Sequence, residues 1–402
     1  MDPAPGFRIR KLHVENFGCI KDATVELSPL TVLVGPNDSG KSMLLRTLIA
    51  LSEASRAGKG WQDVFPEVQH LRSFTFNGRG DSIRIGVEGT IEANQFEYDV
   101  TVGAWPTYAA IRNERVRVDD LQIERADMKL RLFVPGGESN WVDARDGVWP
   151  ITHPNSTWSM TVQGEGDPST RQLKVEPLSQ AVRALAVYSL RPENLRRPTA
   201  PETPLFNNGT GLSAALAHLL LNDRDVAERL ESALSTAMPH VKRLGVVQQS
   251  GAGGVRYELQ IITRSGTRIP SEMISDGVLL YLGYLYLVLR PNPASVLLVE
   301  EPETGIHVGL LKSVMKLFRD MTTGAHGGPP TQVILTTHSP LLLNLVEPEE
   351  IRIVRRDNEG ATQISNFSDA DNLSELLEYQ GPGEIWVNQG EDYLVRKRAA
   401  AS

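Results

Sequence analysis

Apolar and polar residues alternate along "RIRKLHVENF" (8–17) and "ATVELS" (23–28), then give way to the unbroken apolar run "LTVLV" (30–34). Alternation predicts strands with one face buried, and an unbroken apolar run predicts a strand buried on both. "KSMLLRTLIALSEA" (41–54) follows at helical spacing. From about 71 to 175, alternating stretches such as "DSIRIGVEGTIE" and "FEYDVTVGA", with many Gly, Asn and Trp, predict an antiparallel sheet with long loops. "VDARDGVWPITHPNSTW" (142–158) has no regular period. Helical spacing returns over 179–187, and "RPENLRRPTAPETPLFNNGTG" (191–211) is too rich in Pro, Asn and Gly to form an element, so it reads as a mobile segment or lid. One or two amphipathic helices are predicted over 212–238 and a strand at "YELQIIT" (257–263). Beyond 275 the order is helix, apolar strand "SVLLVE", helix 308–321, apolar strand "QVILTT", helix, strand "EIRIVRR". Such alternation of helices with apolar strands predicts an α/β fold with a mostly parallel core sheet.

Composition narrows this picture without redirecting it. The 402 residues are 41% hydrophobic and 22% charged, with net charge −8, so no global field draws the chain to nucleic acid or anionic lipid. The most apolar helical stretch, Leu279 to Leu289, is too short for the roughly 18 residues that span a bilayer. "MDPAPGFRIRK" has no apolar signal-peptide core, and the lone Cys19 excludes an internal disulfide framework. Together these predict a cytoplasmic chain with no membrane partner. Two local basic clusters, Arg112/Arg115/Arg117 and Arg191/Arg196/Arg197, are candidate nucleic-acid contacts, whereas Arg396/Lys397/Arg398 reads as a solvated tail.

Between the apolar strand and the helix lies "GPNDSGKS", with Gly35, Gly40, Lys41 and Ser42 in G-x-x-x-x-G-K-S spacing. Strand before and helix after are the context a phosphate-binding loop needs. Its glycines let the loop, with Pro36 inside it, curl so that successive N–H groups of Asn37, Asp38, Ser39, Gly40, Lys41 and Ser42 face a phosphate, and the helix start adds partial positive charge. Lys41 would neutralise β- and γ-oxygens, and Ser42 would ligate Mg²⁺. The apolar strand 296–299 ends in Glu300 and Glu301, where ligands of such sheets bind. Glu300 would hold the metal through water, and Glu301 would orient or deprotonate the attacking water. His338 follows Thr336 and Thr337 at the end of "QVILTT", placed to sense a γ-phosphate as a neutral donor.

The order of P-loop, "ISDG", "LLVEEPE" and "ILTTHSP" resembles ABC-type ATPases of the branch that includes RecF, SMC and OLD-family proteins, and most of all stand-alone prokaryotic AAA-family members. The likeness covers 7–60 and 179–390 well and 61–178 poorly. It implies one ABC-type domain over 1–402, with an N-terminal lobe (7–178) carrying the P-loop and an antiparallel β insertion, a helical or lid region (179–274), and a C-terminal lobe (275–402). It also implies that Ser275, Asp276 and Gly277 are the signature, which reaches the ATP of a second subunit in a head-to-tail homodimer; an exposed helix start suits an anion. Residues 303–307 would be the D-loop, and Asn16 and Phe17 would lie near the base. Glu300 stands where relatives usually have Asp, Gly18 where many have Arg, and Gln62 and Gln69 are both open as the Q-loop glutamine. There is no coiled coil as in SMC proteins, and the roughly fifty residues after 350 are too few for a TOPRIM nuclease domain.

Three functions follow as expectations. The first is an ATPase using ATP and Mg²⁺ whose paired subunits act on DNA or an effector protein, in phage defence or DNA repair. The second is a nucleotide-gated scaffold or sensor with very slow hydrolysis, and the third a RecF-like DNA clamp with salt-sensitive binding.

Overall fold

The computed structural model describes residues 6–56, 58–105, 107–126, 129–133, 141–143, 177–251 and 254–394. Its central sheet has six strands in the order β10 (Ala186–Tyr188), β14 (Val296–Glu300), β15 (Gln332–Thr337), β3 (Leu30–Val34), β16 (Ile351–Arg356) and β17 (Thr362–Asn366). All neighbours are parallel except the last pair. The apolar runs explain why these strands are central. On one face Val32, Leu297, Val299, Val333, Leu335 and Ile353 join a core shared with the helices α2 (Leu212–Asn222), α3 (Arg224–Ala237), α4 (Asp276–Leu289) and α5 (Val308–Thr323). On the other, Leu33, Val296, Leu298, Ile334 and Val354 join a second core with the P-loop helix α1 (Lys41–Ala54). Each fully buried Val or Leu of this kind is worth about 1.5–3 kcal/mol over leaving it in water.

The second core is closed by an eight-stranded antiparallel sheet, ordered β2 (Ile20–Glu26), β1 (Phe7–Phe17), β4 (Ser82–Ile91), β5 (Asn94–Ala104), β6 (Ala109–Val118), β7 (Leu121–Ala126), β8 (Lys129–Phe133) and β9 (Trp141–Asp143). The expected alternation is present: β7 reads buried, half-buried three times over. Most of 142–158 lies outside the described residues. A third sheet joins β11 (Val241–Gly251), β12 (Gly254–Thr263) and β13 (Arg268–Pro270).

Two expectations need correction. The helix expected over 179–187 ends at 183, and "AVY" becomes edge strand β10, because its apolar side chains serve a sheet as well as a helix. The segment 191–211, expected to form no element, holds a short helix at Pro192–Leu195; around it Ser189 and Arg191 donate to the Asn207 and Asn208 carbonyls, and Thr199 pairs with Tyr257 of β12. Residues 212–238 form two helices, broken at Asp223, whose carboxylate accepts from the Val226 N–H at 3.0 Å as an N-cap. Most arginines of the basic clusters have internal partners: Arg112, Arg115 and Arg117 pair with Asp81, Glu124 and Glu97, Arg196 with Asp276, and Arg197 donates to the Glu193 carbonyl.

Candidate nucleotide-binding site

The loop that follows β3 is shaped by close backbone approach. A Cβ on Gly35 would lie 1.9 Å from the Val354 carbonyl oxygen, and one on Gly40, where φ is 110°, would lie 2.3 Å from Thr362 Oγ1. Lys41 opens α1 and is only 6% exposed; its Nζ donates to the carbonyls of Gly35 (2.8 Å) and Pro36 (2.7 Å). Burial holds the ammonium below the usual lysine range, opposed by the charges of Glu301, Glu303 and Glu391. Strand β16 and its hairpin latch the loop from outside. Arg356 pairs with Asp38 at 2.8 Å, and Thr362 Oγ1 donates to the Ser39 carbonyl at 3.0 Å. Neither latch has a local signal in the sequence, because both join residues more than 300 positions apart.

Parallel pairing of β14 with β15 sets Glu300 opposite Thr336. Glu301 then turns into a left-handed conformation (φ 44°), held by its N–H donating to the Thr336 carbonyl at 3.0 Å. A non-glycine residue held there is a form of strain that clusters at functional sites. The Glu301 carboxylate lies 3.3 Å from His338 Nδ1, so the two residues meet at the strand ends as their positions predict. Sequence reasoning did not foresee the role of Glu303. Its Oε1 accepts from Thr337 Oγ1 (2.6 Å) and from the His338 N–H (3.3 Å), tying the turn after β14 to the end of β15. A third carboxylate in "EEPE" was its only sequence signal.

A cleft of about 450 Å³ gathers Asn37, Asp38, Ser39, Gly40, Lys41 and Ser42 with Glu301. Of the two strand-end acids, Glu301 lines it and Glu300 does not. Its far wall comes from residues 73–78, which the sequence left unassigned, together with Gly18, Cys19 and Met43. Phe17 does not reach it: the ring is 2% exposed and packs with Phe65 and Phe74. The expectation of Phe17 near the base is corrected, because Asn16 in a left-handed conformation (φ 58°) breaks the alternation of β1 and turns Phe17 into the core. Asn16 acts at one remove, its Oδ1 accepting from the Phe76 N–H at 2.9 Å and its Nδ2 donating to the Ser82 carbonyl. Gln62 and Gln69 are exposed and outside the cleft.

Ser275, Asp276 and Gly277 stand apart from this cleft. Ser275 takes the N-cap position of α4, with its carbonyl accepting from Val278 and Leu279, yet its hydroxyl makes no capping bond. Asp276 is held by Arg196, which also donates to the Glu272 carbonyl at 3.0 Å. A Cβ on Gly277 would sit 3.3 Å from the Gly305 carbonyl, so the start of α4 and the 303–307 turn pack as one surface. Ser275 is exposed there beside Met273, itself 77% exposed.

The residues fit a nucleoside triphosphate with a divalent ion. Ser39 Oγ is buried in the cleft wall with no hydrogen-bond partner among the described residues, Lys41 caps its own loop's carbonyls, and Ser42 is exposed. Residues 191–344 match a family model described as "AAA domain, putative AbiEii toxin, Type IV TA system", and 8–114 match an "AAA ATPase domain". An OLD nuclease of Thermus scotoductus is 22% identical over 380 residues, covering 90% of this chain and 65% of the relative, so the chain spans about two thirds of that protein. Solved structures similar in outline include an SMC head bound to the C-terminal winged-helix domain of ScpA (12% identity, 89% of this chain and 97% of that one, TM-score 0.48) and the Thermotoga maritima SMC head domain (13%, 89% and 98%, 0.38).

Proposed function

We propose that this chain, a P-loop ATPase of the RecF/SMC/OLD-like kind with an ABC-type head, binds ATP with Mg²⁺ and hydrolyses it between two head-to-tail copies of itself. The observation that carries hydrolysis is the Glu301–His338 contact, 3.3 Å, at the lip of the cleft that holds Lys41. Lys41 would exchange its two loop carbonyls for phosphate oxygens, a stronger charge-assisted contact. Glu301 would take the proton of the attacking water. Ser42 and Glu300 are the residues present to hold Mg²⁺, which neutralises developing phosphate charge when bound.

The histidine contact refines its role. With Nδ1 beside the Glu301 carboxylate, the ring is placed next to the proposed base, and its Nε2 would be the donor to a γ-phosphate oxygen. Ser275 supports the pairing of subunits: an exposed hydroxyl at a helix start, with no capping bond among the described residues, suits a phosphate presented by another copy. Opening and closing of such a pair would act on DNA or an effector protein in the cytoplasm, in phage defence or DNA repair. No helix among the described residues is long and apolar enough to cross a membrane.

The deciding experiment is steady-state ATP hydrolysis by Glu301→Gln, alongside ATP binding. Binding is retained and turnover falls at least about a hundredfold, the usual share of a general base. Hydrolysis at the wild-type rate removes Glu301 from the reaction.

A further inference from the structure

The far wall of the phosphate cleft is itself a built surface. Residues 74–80 are held to β1 and the turn after it by Asn16 Oδ1 on the Phe76 N–H, by the Gly18 N–H on the Phe74 carbonyl, and internally by Thr75 Oγ1 accepting from the Gly80 N–H at 3.0 Å. Behind this turn, Phe17, Phe65 and Phe74 form an aromatic cluster. Phe76 joins none of those ring pairs; it is half-buried and lines the cleft opposite the loop. Met43, one turn into α1, lines the same cleft, and Gly18 makes room for it, since a Cβ there would come within 2.6 Å of the thioether methyl. Asn77, at φ 56°, stands exposed at the rim. Its carboxamide has both a donor and an acceptor and makes no hydrogen bond to the rest of the described chain.

We infer that the 73–78 turn is the nucleobase subsite: Phe76 offers the ring on which a purine stacks, Met43 lines the apolar side, and Asn77 reads the base edge. The inference rests on the proposed nucleotide function and adds the class of base to it. An aromatic face takes any base, whereas a paired donor and acceptor discriminates by the edge that matches both. Phe76 therefore sets affinity and Asn77 sets the choice between ATP and GTP.

The test measures binding of ATP, GTP and inorganic tripolyphosphate, without turnover, by wild type, Phe76→Ala, Phe76→Tyr and Asn77→Ala. Phe76→Ala weakens ATP by roughly tenfold, the scale of one lost aromatic–base stack, and leaves tripolyphosphate affinity unchanged, which also shows that the variant is folded. Phe76→Tyr restores ATP affinity, and Asn77→Ala narrows the ATP/GTP ratio. Wild-type ATP affinity in Phe76→Ala overturns the subsite while leaving the phosphate site standing. A wild-type chain that binds neither ATP nor tripolyphosphate overturns the nucleotide reading and the subsite with it.

Discussion

The two helix starts proposed to meet phosphate are finished to different degrees. At the P-loop, Lys41 is bonded to Gly35 and Pro36, Asp38 to Arg356, and the Ser39 carbonyl to Thr362. At the start of α4, Asp276 is anchored by Arg196, but the Ser275 hydroxyl is left exposed without a capping bond. Both present a helix N-terminus. One is a cradle complete within the chain, and the other is half a site that suits a ligand brought to it. The contrast predicts that damage at the first end removes nucleotide binding itself, whereas damage at the second removes only what depends on a second copy.

Lys41→Ala gives the largest effect. Loss of charge-assisted bonds worth about 1.5–3 kcal/mol each weakens ATP binding about a hundredfold by isothermal titration. Because burial lowers the lysine below its ordinary 10.5, the ammonium loses its proton, and the wild-type chain its ATP affinity, as pH rises through that lowered value. The affinity loss therefore begins below pH 10.5, and Lys41→Ala lacks it. An alanine variant with wild-type affinity would erase the distinction between the two ends.

Ser275→Arg tests the other end. A bulky cation on the exposed face leaves ATP binding by the single chain within about twofold, since surface changes of this kind cost little. It abolishes ATP-dependent pairing, read by light scattering in the Glu301→Gln background, and turnover with it. Unchanged pairing would return Ser275 to a local role at a helix start.

What the sequence made legible follows the reach of each signal. Strands β3, β14 and β15 are largely apolar runs, and the phosphate loop, Glu301 and His338 sit at their ends, so a local pattern placed the chemistry. Phe17 was misread because a motif's neighbour was credited with the motif's role, while the left-handed Asn16 before it breaks the alternation of β1 and buries it. The wall at 73–78 was missed because a 3₁₀ turn with Asn77 in a left-handed conformation has no period to find. Glu303, Arg356 and Thr362 act through contacts that depend on parallel pairing of strands distant in sequence, which no window of residues contains.

The smallest effect separates the cradle's core from its bracing. Arg356 and Asp38 are joined across the sheet, but their side chains are 36% and 84% exposed. A pair that open to water contributes only about 0.2–1 kcal/mol. Gly35 and Gly40, by contrast, are fixed by backbone contacts that admit no side chain. Arg356→Gln should therefore weaken ATP binding by no more than about fivefold at low salt, and the difference from wild type should shrink as salt screens the pair. Gly40→Ala should lose binding at every salt concentration, because the added methyl meets Thr362 at 2.3 Å in a conformation that favours glycine. If Arg356→Gln matched Gly40→Ala, the loop would be held open by its latch, and the P-loop would be no more self-sufficient than the exposed end of α4.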